Sequence, residues 1–177
     1  MRNALSRVPK PVYAALTALA IGAGFWISSS PGGEGPGSGE AAPPFSLADL
    51  SGVTVSLSER RGKVVLIDFW ATWCDSCARE APGLKALDDR LRGRAFELLA
   101  VAIDDGPQAV AEFAAEEKPG YTIVFGDSAA AKSYGVWALP TKYLIDSNGR
   151  VYRKYIGEAD LAQIESDIQH LLARKSA

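Results

Sequence analysis

The run Val64-Val65-Leu66-Ile67-Asp68-Phe69-Trp70 carries one charge and no turn former, and both cysteines of the chain, Cys74 and Cys77, stand just beyond its end. Such a run has no polar face to turn to water. It predicts a central strand buried on both sides, which needs a packed layer above and below it. Apolar residues at Ala81, Leu84, Leu87 and Leu91 then recur at helical spacing and mark a helix directly after the cysteines. The strongest constraint on the fold is therefore a strand that hands over to a helix through Cys74-Asp75-Ser76-Cys77.

The remaining pattern extends this unit. Phe45–Ala48 and Val53–Leu57 read as a short strand pair ahead of it. Glu97–Ile103 is a second buried strand, Gln108–Lys118 a helix ended by Pro119-Gly120, Tyr121–Phe125 a strand and Ala129–Tyr134 a short helix. Thr141–Ile145 and Val151–Ile156 are strands joined at Ser147-Asn148-Gly149, a hairpin signal. Leu161, Ile164, Ile168 and Leu171 stripe a last helix. Strands and helices that alternate before a closing hairpin predict an α/β domain. It has a mixed central sheet flanked by helices, with an N-terminal β-hairpin extension.

Three segments differ in composition. In residues 1–27, Arg2, Arg7 and Lys10 precede the uncharged run Val12–Ile27. Its length suits a transmembrane anchor with the N-terminus inside, and a cleaved signal is the other reading. Residues 28–44 hold 13 Gly, Pro or Ser among 17 positions, which predicts a disordered linker. Residues 45–177 form the folded domain. Without the three tail cations the chain carries about −5, which supports neither nucleic-acid binding nor adhesion to an anionic surface.

Two cysteines cannot build a disulfide scaffold, and with the single, distant His170 they cannot close a zinc site. At a helix start, Cys74 sits at the N-terminal end and Cys77 one turn further in, so the sulfurs can join and part with little backbone movement. Unpaired backbone N–H groups and the helix dipole favour a Cys74 thiolate, the attacking species in disulfide exchange. A metal half-site and a static disulfide are the bland alternatives. The first lacks further soft ligands, and the second would close too small a loop to constrain the unfolded chain much.

Val65-Leu66-Ile67-Asp68-Phe69-Trp70-Ala71-Thr72-Trp73-Cys74-Asp75-Ser76-Cys77 resembles the active-site segment of thioredoxins. Together with the N-terminal run, the start Pro43-Pro44-Phe45-Ser46-Leu47 and Ala138-Leu139-Pro140-Thr141-Lys142-Tyr143-Leu144-Ile145-Asp146, it is similar to the TlpA/ResA type. These are membrane-anchored, thioredoxin-like thiol–disulfide oxidoreductases of the bacterial cell envelope. The resemblance implies a thioredoxin-like fold and a redox-active Cys74–Cys77 disulfide, with Cys74 the nucleophile and Cys77 the resolving cysteine. It also implies a cis-proline at Pro140, with Leu139 and Trp73 on the substrate side, and a helix-bending Pro82. Implied partners are client disulfides, for example in apocytochrome c or a cuproprotein. A membrane thiol donor would re-reduce the pair. No cofactor and no metal are implied.

Two acids accompany the cysteines. Asp68 stands in an apolar strand, where burial should raise its pKa and suit it to exchange a proton with Cys77. Glu80 follows Cys77 by three residues on the same helical face and matches the family's glutamate; an exposed first-turn glutamate is its bland reading. Asp75 should raise the pKa of Cys74 and tilt the pair toward reduction, an effect that Arg79 could offset. Trp70, Trp73 and Trp137 are candidates to shield the sulfurs, and His170 reads as a surface residue. Two further functions compete. Cu(I) delivery would use both thiolates but lacks a placed histidine. Thiol peroxidase activity would need a threonine three residues before Cys74, where Ala71 stands.

Overall fold

The computed structural model describes residues 35–103 and 106–175. The N-terminal run and the first part of the segment expected as linker, residues 28–34, lie outside them. Strand β1 (Ser46–Ala48) pairs antiparallel with β2 (Thr54–Ser56), and a 3-10 turn (Leu57–Arg60) follows. There the sequence pattern suggests that the strand continues through Leu57. The chain then runs β3 (Val64–Trp70), α1 (Asp75–Leu91), β4 (Phe96–Ala102), α2 (Pro107–Glu117), β5 (Thr122–Phe125), α3 (Ser128–Ser133), β6 (Thr141–Ile145), β7 (Val151–Ile156) and α4 (Leu161–Lys175). Five strands form one sheet in the order β5-β4-β3-β6-β7. β3 runs parallel to β4 and antiparallel to β6, so the sheet is mixed and β3 is central.

Alternation along β3 divides the core into two layers. Leu66 and Trp70 face α1 and α4, where they pack with Leu84, Leu87, Ile164 and Ile168. Val65, Ile67 and Phe69 face the β1–β2 hairpin and the buried rings of Tyr134 and Tyr143. Every residue of β3 is buried, as its apolar run predicts. Helices α1 and α4 approach so closely at Gly83 that a Cβ there would meet the Leu161 side chain. The β6–β7 turn closes on Gly149 at φ 74°, while the Asp146 carboxylate accepts the Asn148 and Arg150 backbone N–H groups. Among the described residues no helix is long and apolar enough to cross a membrane.

Part of the expected linker is structured. Gly39 N–H donates to the Val151 carbonyl at 2.7 Å, Val151 N–H to Glu40, and Ala42 N–H to Gly149, so residues 39–42 lie along the start of β7. Composition missed this because the partners come from the unpaired edge of another strand, which gives low-propensity backbone somewhere to bond. The Tyr134 hydroxyl also donates to the Pro43 carbonyl at 2.8 Å. Tyr134→Phe removes that bond and is expected to cost about 1 kcal/mol. The urea unfolding midpoint reads the loss, and an unchanged midpoint would show that the segment gains nothing from it.

Candidate active site

Cys74 is the N-cap of α1. Its backbone is extended, and its sulfur accepts the Cys77 N–H at 3.2 Å. Its place follows from the sequence: β3 ends at Trp70, and three residues later the chain has room to turn into a helix. Cys74 and Cys77 form a disulfide, with sulfurs 2.14 Å apart and Cα atoms 5.2 Å apart. The Ser76 hydroxyl lies 3.3 Å from the Cys74 sulfur. Unsatisfied N–H groups and the positive end of the dipole thus meet at the sulfur that caps the helix. Pro82 lies within α1 and has no N–H to continue the ladder there.

Above the disulfide is an open depression of about 740 Å³, lined by Trp73, Cys74, Arg79, Val136, Trp137 and Leu139, among others. Cys74 reaches it, whereas Cys77 is not among its lining residues. Trp73 and Trp137 are 64% and 72% exposed, unusual for indoles with no packing role of their own. The Leu139–Pro140 peptide is cis. Leu139 lines the depression while Pro140 is buried behind it, its carbonyl accepting the Gly157 N–H at 2.8 Å.

The three tryptophans divide. Trp73 and Trp137 flank the disulfide, but Trp70 is 4% exposed and packs on Phe113 with ring centroids 4.5 Å apart. Strand parity turns Trp70 inward, so it is a core residue and offers no surface to a client. Arg79 pairs with Glu158 at 3.0 Å on the surface. His170 is exposed beside Tyr152, away from the lining of the depression.

Both acids are buried. Asp68 is 5% exposed and stands on the α1-facing side of β3, between Leu66 and Trp70, in the core layer that contains Cys77. Its Oδ1 has no hydrogen-bond partner. Burial raises its pKa to about 6 against the pull of Lys142, and Glu80 adds to the rise. Glu80 is also 5% exposed, so it is not the solvent-facing first-turn glutamate of the bland reading. Its Oε2 accepts from Lys142 Nζ at 2.6 Å, and its Oε1 accepts the Ala159 N–H at 2.8 Å.

Lys142 is the residue that sequence reasoning passed over. It is fully buried and lies 3.7 Å from Asp68 Oδ1. The signal was present: Thr141–Ile145 is an otherwise uncharged strand, and a lone lysine in such a strand needs a buried acid to face.

Comparison with known proteins agrees with this geometry. The AhpC/TSA family profile matches residues 38–154. The thiol-disulfide oxidoreductase ResA of a Bacillus cereus strain is 32% identical over 134 residues, covering 75% of this chain and 78% of its own. ResA of Geobacillus thermodenitrificans is 35% identical over 136 residues, covering 75% and 77%. A crystal structure from Chlorobium tepidum, designated a putative thiol:disulfide interchange protein DsbE, superposes with a TM-score of 0.73 at 31% identity. It covers 77% of this chain and 99% of its own. A strand–CxxC–helix junction in a mixed five-stranded sheet, together with similarity to these relatives over three quarters of the chain, places the protein in the AhpC/TSA family as a ResA-type, thioredoxin-like thiol–disulfide oxidoreductase.

Proposed function

We propose that the chain reduces disulfides of client proteins outside the cytoplasmic membrane, with Cys74 attacking and Cys77 resolving. The observation that carries the division of roles is that Cys74 caps α1 and lines the tryptophan-walled depression, while Cys77 lies one turn deeper. In the reduced state the helix N-terminus stabilises the Cys74 thiolate. That thiolate attacks one sulfur of the client disulfide. The other client sulfur leaves as a thiolate and takes a proton from solvent. The Cys77 thiol gives its proton to the Asp68 carboxylate. The resulting thiolate attacks Cys74 and closes the Cys74–Cys77 disulfide, expelling the second client sulfur. Two electrons pass from the dithiol to the client.

Trp73, Trp137 and Leu139 offer this client an apolar surface beside the reacting sulfurs, and the backbone around Pro140 offers it an edge. Asp75, next to Cys74, opposes the thiolate and favours the reducing direction. An extracytoplasmic setting is generally oxidising, so a membrane thiol donor must restore the dithiol. The cationic and apolar residues 1–27 supply the reading of export and anchoring. Client disulfides that await a metal or haem, as in cytochrome c maturation, fit a dedicated reductant.

A trapping experiment tests the roles. Cys77→Ala is expected to accumulate a mixed disulfide between Cys74 and a client, visible as a thiol-sensitive higher band, and Cys74→Ala is not. Equal trapping by both variants, or by neither, overturns the assignment. A midpoint potential near about −120 mV, that of a strong oxidant, would overturn the reducing direction.

A further inference from the structure

Asp68, Glu80 and Lys142 come from three elements and meet in one buried place. Asp68 and Lys142 are directly opposed in the β3–β6 register, so their side chains leave the sheet on the same face. Glu80 descends onto them from α1, one turn after Cys77. The lysine does not treat the acids alike. It donates to Glu80 at 2.6 Å, and the Ala159 N–H occupies the other Glu80 oxygen. Asp68 Oδ1 stands 3.7 Å from the ammonium and makes no hydrogen bond.

Charge arithmetic gives this asymmetry a consequence. Two ionised carboxylates with one ammonium leave a net negative charge buried, which is unfavourable. One retained proton makes the cluster neutral. Glu80 uses both oxygens as acceptors, one of them from an ammonium, and a proton on Glu80 would weaken both bonds. Asp68 Oδ1 accepts no hydrogen bond that a proton would weaken.

We propose that Lys142 is a positioning residue that sorts the two acids, holding Glu80 as the carboxylate and leaving Asp68 to carry the exchangeable proton. The proposal rests on the reductase reading for its use: the proton Asp68 takes is the one the Cys77 thiol gives up before attack, and Asp68 returns it when the disulfide is reduced again. Glu80 is thereby an electrostatic and structural partner, tying α1 to β6 and to the turn before α4. The groups that act on Asp68 are Lys142 from β6 and Glu80 from α1. Asp68 in turn acts on the phenol of Tyr121, just before β5. Asp88 and Glu117 also act on Tyr121; burial raises that phenol's pKa so far that it stays neutral throughout.

Carboxyl ¹³C chemical shifts of the oxidised full chain, followed from about pH 4 to about pH 8, test this without any client. One buried carboxyl is expected to titrate near the value of about 6 that burial gives Asp68. It should vanish in Asp68→Asn and persist in Glu80→Gln. In Lys142→Met the Asp68 signal should move to higher pH, because the ammonium that pulls its pKa down is gone. Loss of the signal in Glu80→Gln with retention in Asp68→Asn overturns the sorting, as does a Lys142→Met titration identical to the parent's. If Lys142→Met does not fold, the comparison of the two acid variants decides alone. The measurement is independent of trapping: the expected titration alongside a failed trap would sink the reductase roles and leave the sorting intact.

Discussion

Cys74→Ser lowers the turnover of a disulfide client by about a thousandfold or more, and Cys77→Ser leaves the first attack in place while abolishing multiple turnover. The asymmetry follows from position. The first sulfur must meet an external disulfide, and of the two cysteines Cys74 alone lines the depression between Trp73 and Trp137. A serine oxygen at the helix cap retains the capping hydrogen bond from the Cys77 N–H, so the fold is undisturbed. It is, however, not ionised near neutral pH and is not a nucleophile toward sulfur. Removal of a nucleophile commonly costs at least about 10³-fold. Single-turnover kinetics with a fluorescent disulfide substrate separate the two steps. A rapid stoichiometric burst is expected from Cys77→Ser and none from Cys74→Ser. A burst from Cys74→Ser, or equal loss in both, would reverse or dissolve the roles.

The parts of the fold legible in the sequence were those where burial and periodicity agree. β3, β6 and β7 begin and end where the sequence pattern predicts them. The hairpin turn follows from Ser147-Asn148-Gly149, and Cys74 caps α1 as the strand–CxxC spacing suggests. Features that depend on a distant partner were less legible. Residues 39–42 have the composition of a linker, yet the edge of β7 gives their backbone groups partners. Leu57 belongs to a 3-10 turn rather than a strand; there the Arg60 guanidinium donates to the Ser56 carbonyl and to Glu97 of β4. Trp70 and Trp73 look equivalent as letters, but strand alternation buries the first, and the end of the strand frees the second. Lys142 is illegible for a different reason: a single lysine beside Leu139-Pro140 has no pattern of its own. The lysine two residues later acquires meaning only when register sets it opposite Asp68.

Lys142→Met and Asp68→Asn should move stability in opposite directions, most strongly at pH values where Asp68 is ionised. The folded pKa of Asp68 is raised from 3.8 to about 6, chiefly by desolvation. Its contribution is therefore fully favourable below the unfolded value and is lost as pH rises through the folded one. At about pH 8 the native protein bears the cost of an ionised, buried Asp68 that an asparagine does not impose. A shift of about two units corresponds to roughly 3 kcal/mol at most, and an amide that leaves the same site without a hydrogen bond reduces the gain to about 1–3 kcal/mol. Near pH 4 the native side chain is neutral in both proteins, and the difference should shrink to a fraction of its value at about pH 8. Lys142→Met does the reverse. It leaves two acids buried with no counter-charge, a change that costs about 3–5 kcal/mol where both are ionised and less where Asp68 holds its proton. Urea unfolding of the oxidised proteins at about pH 4.5 and about pH 8 measures both differences. An Asp68→Asn variant less stable than the parent at about pH 8, or a difference that does not vary with pH, would show that the carboxyl is not held against its own ionisation. The same burial that makes Asp68 a source of instability at high pH brings its proton exchange close to neutral pH, beside the disulfide.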